Sequence, residues 1–506
     1  MTVNKMKELI TVTINGKRES AIAGQTLSEI VKGEKPCGGH GRCGKCKIKA
    51  RGNISALTDV ELKLLSKDEF ADGIRLACLT YALGECEIET FDESRKERIV
   101  TGGDLPEFKI APAFEKYGVA IDIGTTTLAA RLYDRAGKLL ADASCLNPQQ
   151  KWGADVISRI EASLDGKSRD LSKSIREAID SLIFELAAIG GIDSKNIDGA
   201  VVTGNTVMLS LLVEESVEPF SHAPFDVKRL FGETITAESL ELSAINEQTP
   251  IYFPPCISAF VGADTTCAIL ATELCKDNTA LLTDIGTNGE IALWHNGKLS
   301  VCSTAAGPAF EGVGISMGMR GSDGAIDKVV IVNGTLNAHV IGNVRPVGIC
   351  GSGLVDAVAC MLNLDIVDES GYLEDEKTVI QAPVCLTPQD IRMLQLAKSA
   401  ICAGIMTLIE VEGVDPSVIS RFCIAGGFGS YLNRKNAVKI GLIPKALSEK
   451  MKTVGNAALG GAAIMLLDKN SRSQAEYLAK STTTVELSAN PLFSEKYMNS
   501  MMLEEV

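Results

Sequence analysis

Four cysteines near the start of the chain constrain its fold more than any other feature. Three of them are separated by five and by two residues, and the fourth follows in a later segment that reads Arg-Leu-Ala-Cys-Leu-Thr. The four are Cys37, Cys43, Cys46 and Cys78. The loop that carries the first three also contains Gly38, Gly39, Gly41 and Gly44. Glycines allow a backbone to approach bound sulfurs closely and to donate N–H groups to them, so the pattern predicts a site with four thiolate ligands.

The spacing of these cysteines favours an iron–sulfur cluster over zinc. A [2Fe–2S] cluster takes four thiolates, and the spacing is similar to that of plant-type ferredoxins. The alternative, a structural zinc site, usually has two separated cysteine pairs. We therefore predict that the four cysteines bind one [2Fe–2S] cluster. Cys86 lies outside the pattern and is expected to be an ordinary buried or half-buried thiol.

The segments around the cluster loop predict a small β-rich domain. Residues 9–22 alternate apolar and polar side chains around Asn15-Gly16, which is the strongest short signal for a β-hairpin. Residues 25–31 then fit a short helix, and residues 47–50 fit a strand. This order of hairpin, helix and cluster loop resembles the β-grasp ferredoxins, in particular the adrenodoxin branch with its five-residue spacing.

Length, charge and cysteine content narrow the class of protein. A chain of 506 residues is long enough for about two to four domains. The formal net charge of −14 argues against a nucleic-acid partner, and no apolar run is long enough to predict a membrane span. The 15 cysteines are odd in number and mostly lie inside apolar runs, which is typical of a reducing compartment. We therefore expect a cytoplasmic protein without a secretory signal.

A local basic segment surrounds the predicted cluster on this acidic chain. Between Lys32 and Arg51 there are seven Lys or Arg residues and one acid, Glu34. Such a rim can dock an acidic redox partner, or it can be a solvated loop without a partner. The sequence leaves both interpretations open.

The remaining chain divides into a linker and a much larger domain. Residues 92–115 mix charge, glycine and proline with little periodicity, which predicts a linker. We assign residues 1–91 to the small domain and residues 116–506 to the large one. The large domain is predicted to have two lobes, at about 116–275 and 276–506.

Two copies of one motif indicate the two lobes. Asp122 and Asp284 each begin an Asp-Ile-Gly-Thr turn between two apolar strands, and a third glycine-rich turn follows a late apolar strand. Hydroxyl and N–H groups in such turns suit phosphate oxygens, and the two aspartates can hold Mg²⁺ through water. We predict Asp122 and Asp284 to be the catalytic pair. The predicted ligand-binding residues are Gly124, Thr125, Thr126, Gly286, Thr287, Asn288, Gly426, Gly427 and Gly429.

The three turns resemble those of the superfamily of actin, sugar kinases and heat-shock chaperone ATPases. The resemblance implies that the two hairpins clamp the phosphates of ATP and that the turn at Gly426 and Gly427 holds the adenosine. The implied fold class is a multidomain α+β and α/β protein. It has a β-grasp [2Fe–2S] ferredoxin domain, a linker and a two-lobed, actin-like ATPase domain built from RNase H-like repeats. The implied cofactors are the [2Fe–2S] cluster, ATP and Mg²⁺.

The chain as a whole resembles the reductive activators of corrinoid proteins. The resemblance is carried by the ferredoxin-like head and by the runs TDIGTNGEIAL, STAAGPAFEG, GICGSGLVD, IAGGFG and VELSANPLF. It implies an ATP-dependent activator that returns the inactive Co(II) corrinoid protein of a methyltransferase or demethylase system to Co(I), with one electron from its cluster. A low-potential electron donor and a second copy of the chain in a homodimer are further expected partners. One departure is the short connection between head and ATPase, where some family members have a larger middle domain.

Two other functions stay open from the sequence. The first is an ATP-dependent, low-potential electron donor to another enzyme, like the activators of hydroxyacyl-CoA dehydratases. Those activators hold a [4Fe–4S] cluster between subunits, which the cysteine spacing disfavours. The second is a nucleotide-switched binding protein in which the cluster is structural or a sensor. Reduction of the cluster by a low-potential donor would separate this second function from electron transfer.

Overall fold

The structure is a computed structural model that describes residues 9–31, 39, 41, 44–65, 67–90 and 105–506, apart from the side chains of residues 68 and 430. Cys37 and Cys43, two of the predicted cluster ligands, lie outside the described residues. The chain divides into two compact units. The first comprises Met1–Arg95 and Pro148–Leu171, and the second comprises Lys96–Asn147 and Ser172–Val506.

The first unit contains a mixed five-stranded sheet with short helices. The strands are β1 Leu9–Ile14, β2 Lys17–Ile22, β3 Lys47–Ile54, β4 Ile74–Leu76 and β5 Ala82–Thr90, and the helices are α1 Leu27–Ile30, α2 Asp59–Leu64 and α3 Lys67–Ala71. The strand order is β2-β1-β5-β3-β4, with β1 parallel to β5 and the other neighbours antiparallel. The core between sheet and helix includes the fully buried Val12, Leu27 and Ile88. This is the predicted β-grasp arrangement.

Local sequence signals account for the beginning of this unit. β1 and β2 form the predicted hairpin, and Asn15 and Gly16 between them have φ angles of 48° and 81°. Positive φ at both positions is what a type I′ turn requires, and Asn-Gly adopts it at low cost. The predicted helix is also present. It begins with a capping box in which Thr26 and Glu29 each accept a hydrogen bond from the other's backbone N–H.

The first unit also includes Pro148–Leu171, which the sequence analysis placed inside the ATPase domain. Helix α4 of this segment spans Val156–Ala162 and is capped by the side chain of Asp155. Arg159 of this helix donates a hydrogen bond of 2.9 Å to the carbonyl oxygen of Gly153. The guanidinium therefore ties the helix to the chain that enters it.

The second unit is built on two six-stranded sheets. The strands of the first sheet are β6 Tyr117–Ile123, β7 Thr127–Asp134, β8 Leu139–Leu146, β9 Ile197–Gly204, β10 Phe231–Thr236 and β11 Pro250–Pro255. The later strands are β12 Thr279–Ile285, β13 Gly289–His295, β14 Lys298–Thr304, β15 Ala325–Val332, β16 Thr335–Val340, β17 Gly348–Ile349, β18 Thr378–Gln381, β19 Val384–Leu386, β20 Arg421–Ala425, β21 Met451–Thr453 and β22 Thr483–Thr484.

The two large sheets repeat one topology. Their strand orders are β10-β11-β9-β6-β7-β8 and β21-β20-β12-β13-β14-β22. In each sheet, three consecutive strands form an antiparallel meander, and the first of them also pairs in parallel with a later strand. Asp122 and Asp284 lie near the ends of the equivalent strands β6 and β12. The duplication predicted from the two motifs is therefore confirmed.

Helices pack on the faces of these sheets. In chain order after α4 they are α5 Ser168–Gly190, α6 Thr206–Leu212, α7 Ala263–Ala271, α8 Gly351–Asn363, α9 Pro388–Val411, α10 Arg434–Lys439, α11 Ala457–Leu467, α12 Ser471–Ser481 and α13 Pro491–Asn499. Helices α7 and α11 approach each other closely. A Cβ atom on Gly461 of α11 would lie only 2.1 Å from the carbonyl oxygen of Cys267 in α7. Glycine is therefore required at this helix contact.

The second half of the predicted linker is part of the second unit. The backbone N–H groups of Ala111 and Ala113 donate to the carbonyl oxygens of Leu467 and Leu466, at 2.8 and 3.0 Å. Phe114 is 4% exposed and packs in the core that contains α11. The assignment of residues 105–115 to a linker is therefore wrong. These residues lack a periodic pattern because single backbone hydrogen bonds and one aromatic anchor hold them.

Helix α9 contains a long apolar stretch. Pro388–Val411 is long and apolar enough to cross a membrane by length and composition alone, but 78% of its apolar window is buried inside the protein. A helix that is apolar on all sides is expected in the core of a large domain. The helix therefore serves as a core element of the second lobe.

Candidate functional site

Two of the predicted cluster cysteines come together in the first unit. Cys46 directly precedes β3, and Cys78 follows shortly after β4. The antiparallel register pairs Lys47 with Leu76, so the two cysteines meet at the same end of this strand pair. Their sulfur atoms are 3.2 Å apart. The fold thus brings the third and fourth cysteines of the pattern to one place.

A buried carboxylate supports the turn that carries Cys78. Glu61 of α2 accepts hydrogen bonds of 2.9 and 3.0 Å from Arg75, and bonds of 3.1 Å from the Leu76 N–H and the Thr80 hydroxyl. Burial alone would raise the pKa of Glu61, but the hydrogen bonds and charge of Arg75, together with the N–H groups of Thr58 and Leu76, outweigh it and lower the pKa to about 2. Sequence reasoning missed this residue, although the capping box at the start of α2 was an available signal.

Cys86 is an ordinary buried thiol, as expected from its position outside the pattern. It lies on β5 and is 4% exposed. Burial raises the pKa of its thiol, so the reactive thiolate is disfavoured.

The second unit contains a cleft lined by the turns of both lobes. All of the predicted nucleotide residues except Gly429 line it. The predicted residues in the lining are Asp122, Gly124, Thr125, Thr126, Asp284, Gly286, Thr287, Asn288, Gly426 and Gly427. Gly429 instead packs against β20, where a Cβ atom would lie 2.6 Å from Cγ2 of Ile424. The predicted ligand contact of Gly429 stays a prediction, and the packing on Ile424 is a second reason for glycine at this position.

The Asp-Ile-Gly-Thr turn at Asp122, called the first phosphate turn after its predicted ligand, is held by two asparagines. The turn at Asp284 is called the second phosphate turn. A Cβ atom on Gly124 would lie 2.9 Å from the carbonyl oxygen of Thr127, which accepts the Gly124 N–H bond that closes the turn. The amide of Asn147 donates to the carbonyl oxygen of Gly124 at 2.8 Å. The amide of Asn205 donates to the hydroxyl of Thr125 at 3.2 Å. The turn is thereby fixed with its hydroxyls at the cleft.

Five acidic side chains line the cleft, one of them Glu311. The other four have raised pKa values: Asp122, Asp264, Asp284 and Glu290. Loss of hydration raises the pKa of Asp122 to about 7 and that of Asp284 to about 7. The charge of Asp264 adds to both shifts. Burial also raises the pKa values of Asp264 and Glu290. The four carboxylates cannot all be ionised side by side unless a cation offsets their repulsion, and hard oxygen ligands of this kind suit Mg²⁺.

Asn456 fixes the orientation of one of these acids. Its side-chain Nδ2 donates a hydrogen bond of 2.9 Å to Oδ2 of Asp122. Its Oδ1 accepts a bond of 2.8 Å from the N–H of Leu459 and so caps helix α11. One amide therefore couples the start of this helix to the carboxylate of Asp122 on β6.

The third turn closes the cleft on the other side. Gly426 has a φ angle of +92°, and a Cβ atom there would lie 2.7 Å from Oδ1 of Asp284. Around a Cβ atom on Gly427 there is no atom within 4 Å, so this backbone faces open space. Phe428 stacks on Phe310, with ring centroids 4.5 Å apart, and both rings line the cleft. These features leave room for a flat ligand against the glycine turn.

Sequence reasoning missed three acids of the cleft. Glu290 lies in the quoted run TDIGTNGEIAL and could have been included from its position in the second hairpin. Asp264 lies in the first turn of α7, and no sequence motif around it indicated a place in the cleft. Glu311 lies in the run STAAGPAFEG, and its carboxylate accepts hydrogen bonds from the hydroxyls of Thr126 and Thr287. Its partners are far apart in sequence, so only the folded chain indicates its role.

The repeated sheets, the paired Asp-Ile-Gly-Thr turns and the glycine turn define an actin-like domain. Residues 278–506 match the family described as "C-terminal domain of RACo the ASKHA domain". Residues 117–277 match the family described as "RACo middle region". The middle region of the family therefore corresponds to the part of this chain that carries the Asp-Ile-Gly-Thr turn at Asp122, and the short connection lies before it.

Several characterised proteins are similar over most of the chain. It is 36% identical to the corrinoid activation enzyme RamQ of Eubacterium limosum, over 80% of this chain and 73% of that protein. It is 25% identical to the [Co(II) methylated amine-specific corrinoid protein] reductase of Methanosarcina barkeri, over 73% of this chain and 74% of that protein. The solved structure of a reductive activator for corrinoid, iron–sulfur protein superposes with a TM-score of 0.72 and 28% identity, and covers 98% of both chains. The chain therefore belongs to the family of reductive activators of corrinoid proteins.

Proposed function

We propose that this protein is an ATP-hydrolysing activator that reduces the inactive Co(II) state of a corrinoid protein to Co(I). The observation that carries the proposal is the presence, in one chain, of a cysteine-bearing β-grasp unit and a cleft lined by two phosphate turns and five acids. The names of the relatives support the same reaction. The cluster, when bound, would supply one electron to cobalt, and an external low-potential donor would reduce it again.

The cluster is proposed to be a [2Fe–2S] centre bound by Cys37, Cys43, Cys46 and Cys78. Two thiolates on one tetrahedral metal with bonds of about 2.3 Å lie about 3.8 Å apart. The separation of 3.2 Å between the sulfurs of Cys46 and Cys78 needs only a small adjustment to reach this value. Cys46 and Cys78 would therefore fit as two thiolate ligands of the cluster.

The nucleotide is proposed to be ATP with Mg²⁺. The hydroxyls and N–H groups of the two Asp-Ile-Gly-Thr turns would hold its phosphates, and the open backbone at Gly427 would lie against the adenosine. Asp122 and Asp284 would bind Mg²⁺ through water, because Mg²⁺ keeps several waters and needs few carboxylates. When bound, the cation would offset the repulsion among the four acids.

ATP is needed because the electron transfer is unfavourable on its own. Plant-type clusters have potentials near about −400 mV. Reduction of corrinoid Co(II) generally requires a lower potential than this. Nucleotide bound between two hinged lobes can drive closure, and closure can change the environment of cobalt in a docked client.

The proposed partners are a corrinoid protein of a methyltransferase or demethylase system and a low-potential electron donor. We further propose a cytoplasmic location, since none of the cysteines in the described segments forms a disulfide. A homodimer stays a prediction, to be tested by the mass of the protein in solution.

The proposal is tested by anaerobic incubation of the protein with a Co(II) corrinoid protein, a low-potential reductant and ATP. The expected result is the Co(I) absorption band, which should not appear at a comparable rate when ATP is omitted. Equal rates with and without ATP would exclude the coupling. A cluster that accepts no electron from the reductant would instead favour a nucleotide-switched binding protein with a structural cluster.

A further inference from the structure

Glu311 links the two phosphate turns across the cleft. One carboxylate oxygen, Oε2, accepts a short hydrogen bond from the hydroxyl of Thr126 in the first lobe. The other, Oε1, accepts a bond of 2.7 Å from the hydroxyl of Thr287 in the second lobe. These hydroxyls are the groups proposed above to face the phosphates of ATP. A negative side chain therefore lies at the position where the terminal phosphate is expected.

The local backbone holds this carboxylate in place. Glu311 ends a short 3₁₀ turn, Pro308–Glu311, whose Phe310 is 3% exposed. The N–H of Gly307, directly before this turn, donates 2.9 Å to the carbonyl oxygen of Thr287. A Cβ atom on Gly286 would lie 4.0 Å from Oε1 of Glu311. The carboxylate is thus fixed beside the second phosphate turn rather than free to leave the cleft.

Glu311 differs from the other acids of the cleft in its partners. Asp122 and Asp284 are close enough to repel each other and Asp264, which suits them to a cation. The negative charge of Glu311 is instead stabilised by two hydroxyl donors. A phosphate group would compete for these donors, and the carboxylate would then be free to accept a hydrogen bond from a water beside the terminal phosphate.

We propose that Glu311 is the catalytic carboxylate that orients the attacking water and accepts its proton during ATP hydrolysis. The oxygen of the water forms a bond to the γ-phosphorus, and the bond from that phosphorus to the bridging oxygen of ADP breaks. The bridging oxygen leaves with the electron pair, and one proton of the water passes to the carboxylate of Glu311. This inference rests on the proposed ATPase function and adds the group that activates water.

The test compares Glu311→Gln with the parent protein. Glutamine keeps the size and can still hydrogen-bond to both threonines, but it cannot accept the proton. Phosphate release should fall about 100-fold, which is within the usual range for loss of a general base. The dissociation constant for Mg-ATP, measured by calorimetry, should change by less than about threefold. Glu374→Gln, at an exposed position of the second lobe, is the matched control and should leave both quantities unchanged.

A second variant separates a chemical role from a structural one. Glu311→Ala removes the carboxylate, and added formate should restore part of the phosphate release, because it can enter the space and accept the proton. A purely structural bridge would not respond to formate.

The inference is overturned if Glu311→Gln releases phosphate at the parent rate, if it loses ATP binding, or if formate has no effect on Glu311→Ala. These outcomes are distinct from failure of the proposed function. If the proposed function failed, the parent protein would hydrolyse ATP without producing Co(I). The effect of Glu311 on ATP hydrolysis would still stand.

Discussion

Replacement of Glu61 by Gln should destabilise the cysteine-bearing unit specifically. The carboxylate binds Arg75 through two hydrogen bonds and holds the turn that leads to Cys78. The pKa of Glu61 falls from an ordinary 4.5 to about 2 despite burial. Each pKa unit corresponds to about 1.4 kcal/mol, so after an allowance for solvent screening we expect a loss of ~2 to 3 kcal/mol. For a domain of this size, that is a fall of about 10 to 20 °C in Tm.

The pH dependence follows from the sign of this shift. Because the pKa is depressed in the folded state, the stabilisation is complete above the pKa of the unfolded chain, about 4.5. It is lost progressively as the pH falls from about 4.5 towards 2. The difference in stability between the parent and Glu61→Gln should therefore be constant from about pH 8 to 6 and should shrink at about pH 4.

The assay is thermal unfolding of the full chain, followed by loss of the visible absorption of the cluster. The control is Glu69→Gln, which removes an ion pair with Lys47 in the same unit, where both side chains are about one-third exposed. That variant should cost less than about 1 kcal/mol. If Glu61→Gln and Glu69→Gln lower the midpoint equally, the reasoning from the buried carboxylate is refuted.

Three further predictions concern the two sites. Cys46→Ala should abolish the visible absorption and the EPR signal of the reduced cluster, whereas the buried Cys86→Ala should keep both. Asp284→Asn should lower Mg-dependent ATP turnover by at least about tenfold, and the exposed Asp375→Asn should not. Asn456→Ser should keep a cap for α11, so its Tm should change little. The Mg²⁺ concentration for half-maximal turnover should nevertheless rise about tenfold, because the hydrogen bond to Asp122, the proposed Mg²⁺ ligand, is lost. An unchanged Mg²⁺ requirement would contradict this role.

Features set by short stretches of sequence were predictable. The Asn15-Gly16 hairpin follows from the conformational preference of two residues, and the phosphate turns follow from one motif that occurs twice. The meeting of Cys46 with Cys78 was also anticipated, because the spacing pattern of a cluster encodes it.

Features set by tertiary contacts were not predictable from the sequence. Thr126 and Glu311 are 185 positions apart, and only the packing of the two lobes brings them together. The partner of Glu61 could not be inferred either, because the position of Arg75 depends on the register between β3 and β4. Residues 105–115 were misread for the same reason: their order comes from contact with α11 rather than from any pattern of their own.

The central claim is that an electron passes from the cluster of this chain to cobalt only when ATP is present. It is tested most directly by mixing the pre-reduced protein, freed of excess reductant, with a Co(II) corrinoid protein in a stopped-flow spectrometer. With ATP, the absorption of the oxidised cluster should return as the Co(I) band rises, and one cobalt should be reduced for each cluster that is oxidised. Without ATP, both changes should be absent or far slower. Formation of Co(I) without reoxidation of the cluster, or at the same rate without ATP, would contradict the account.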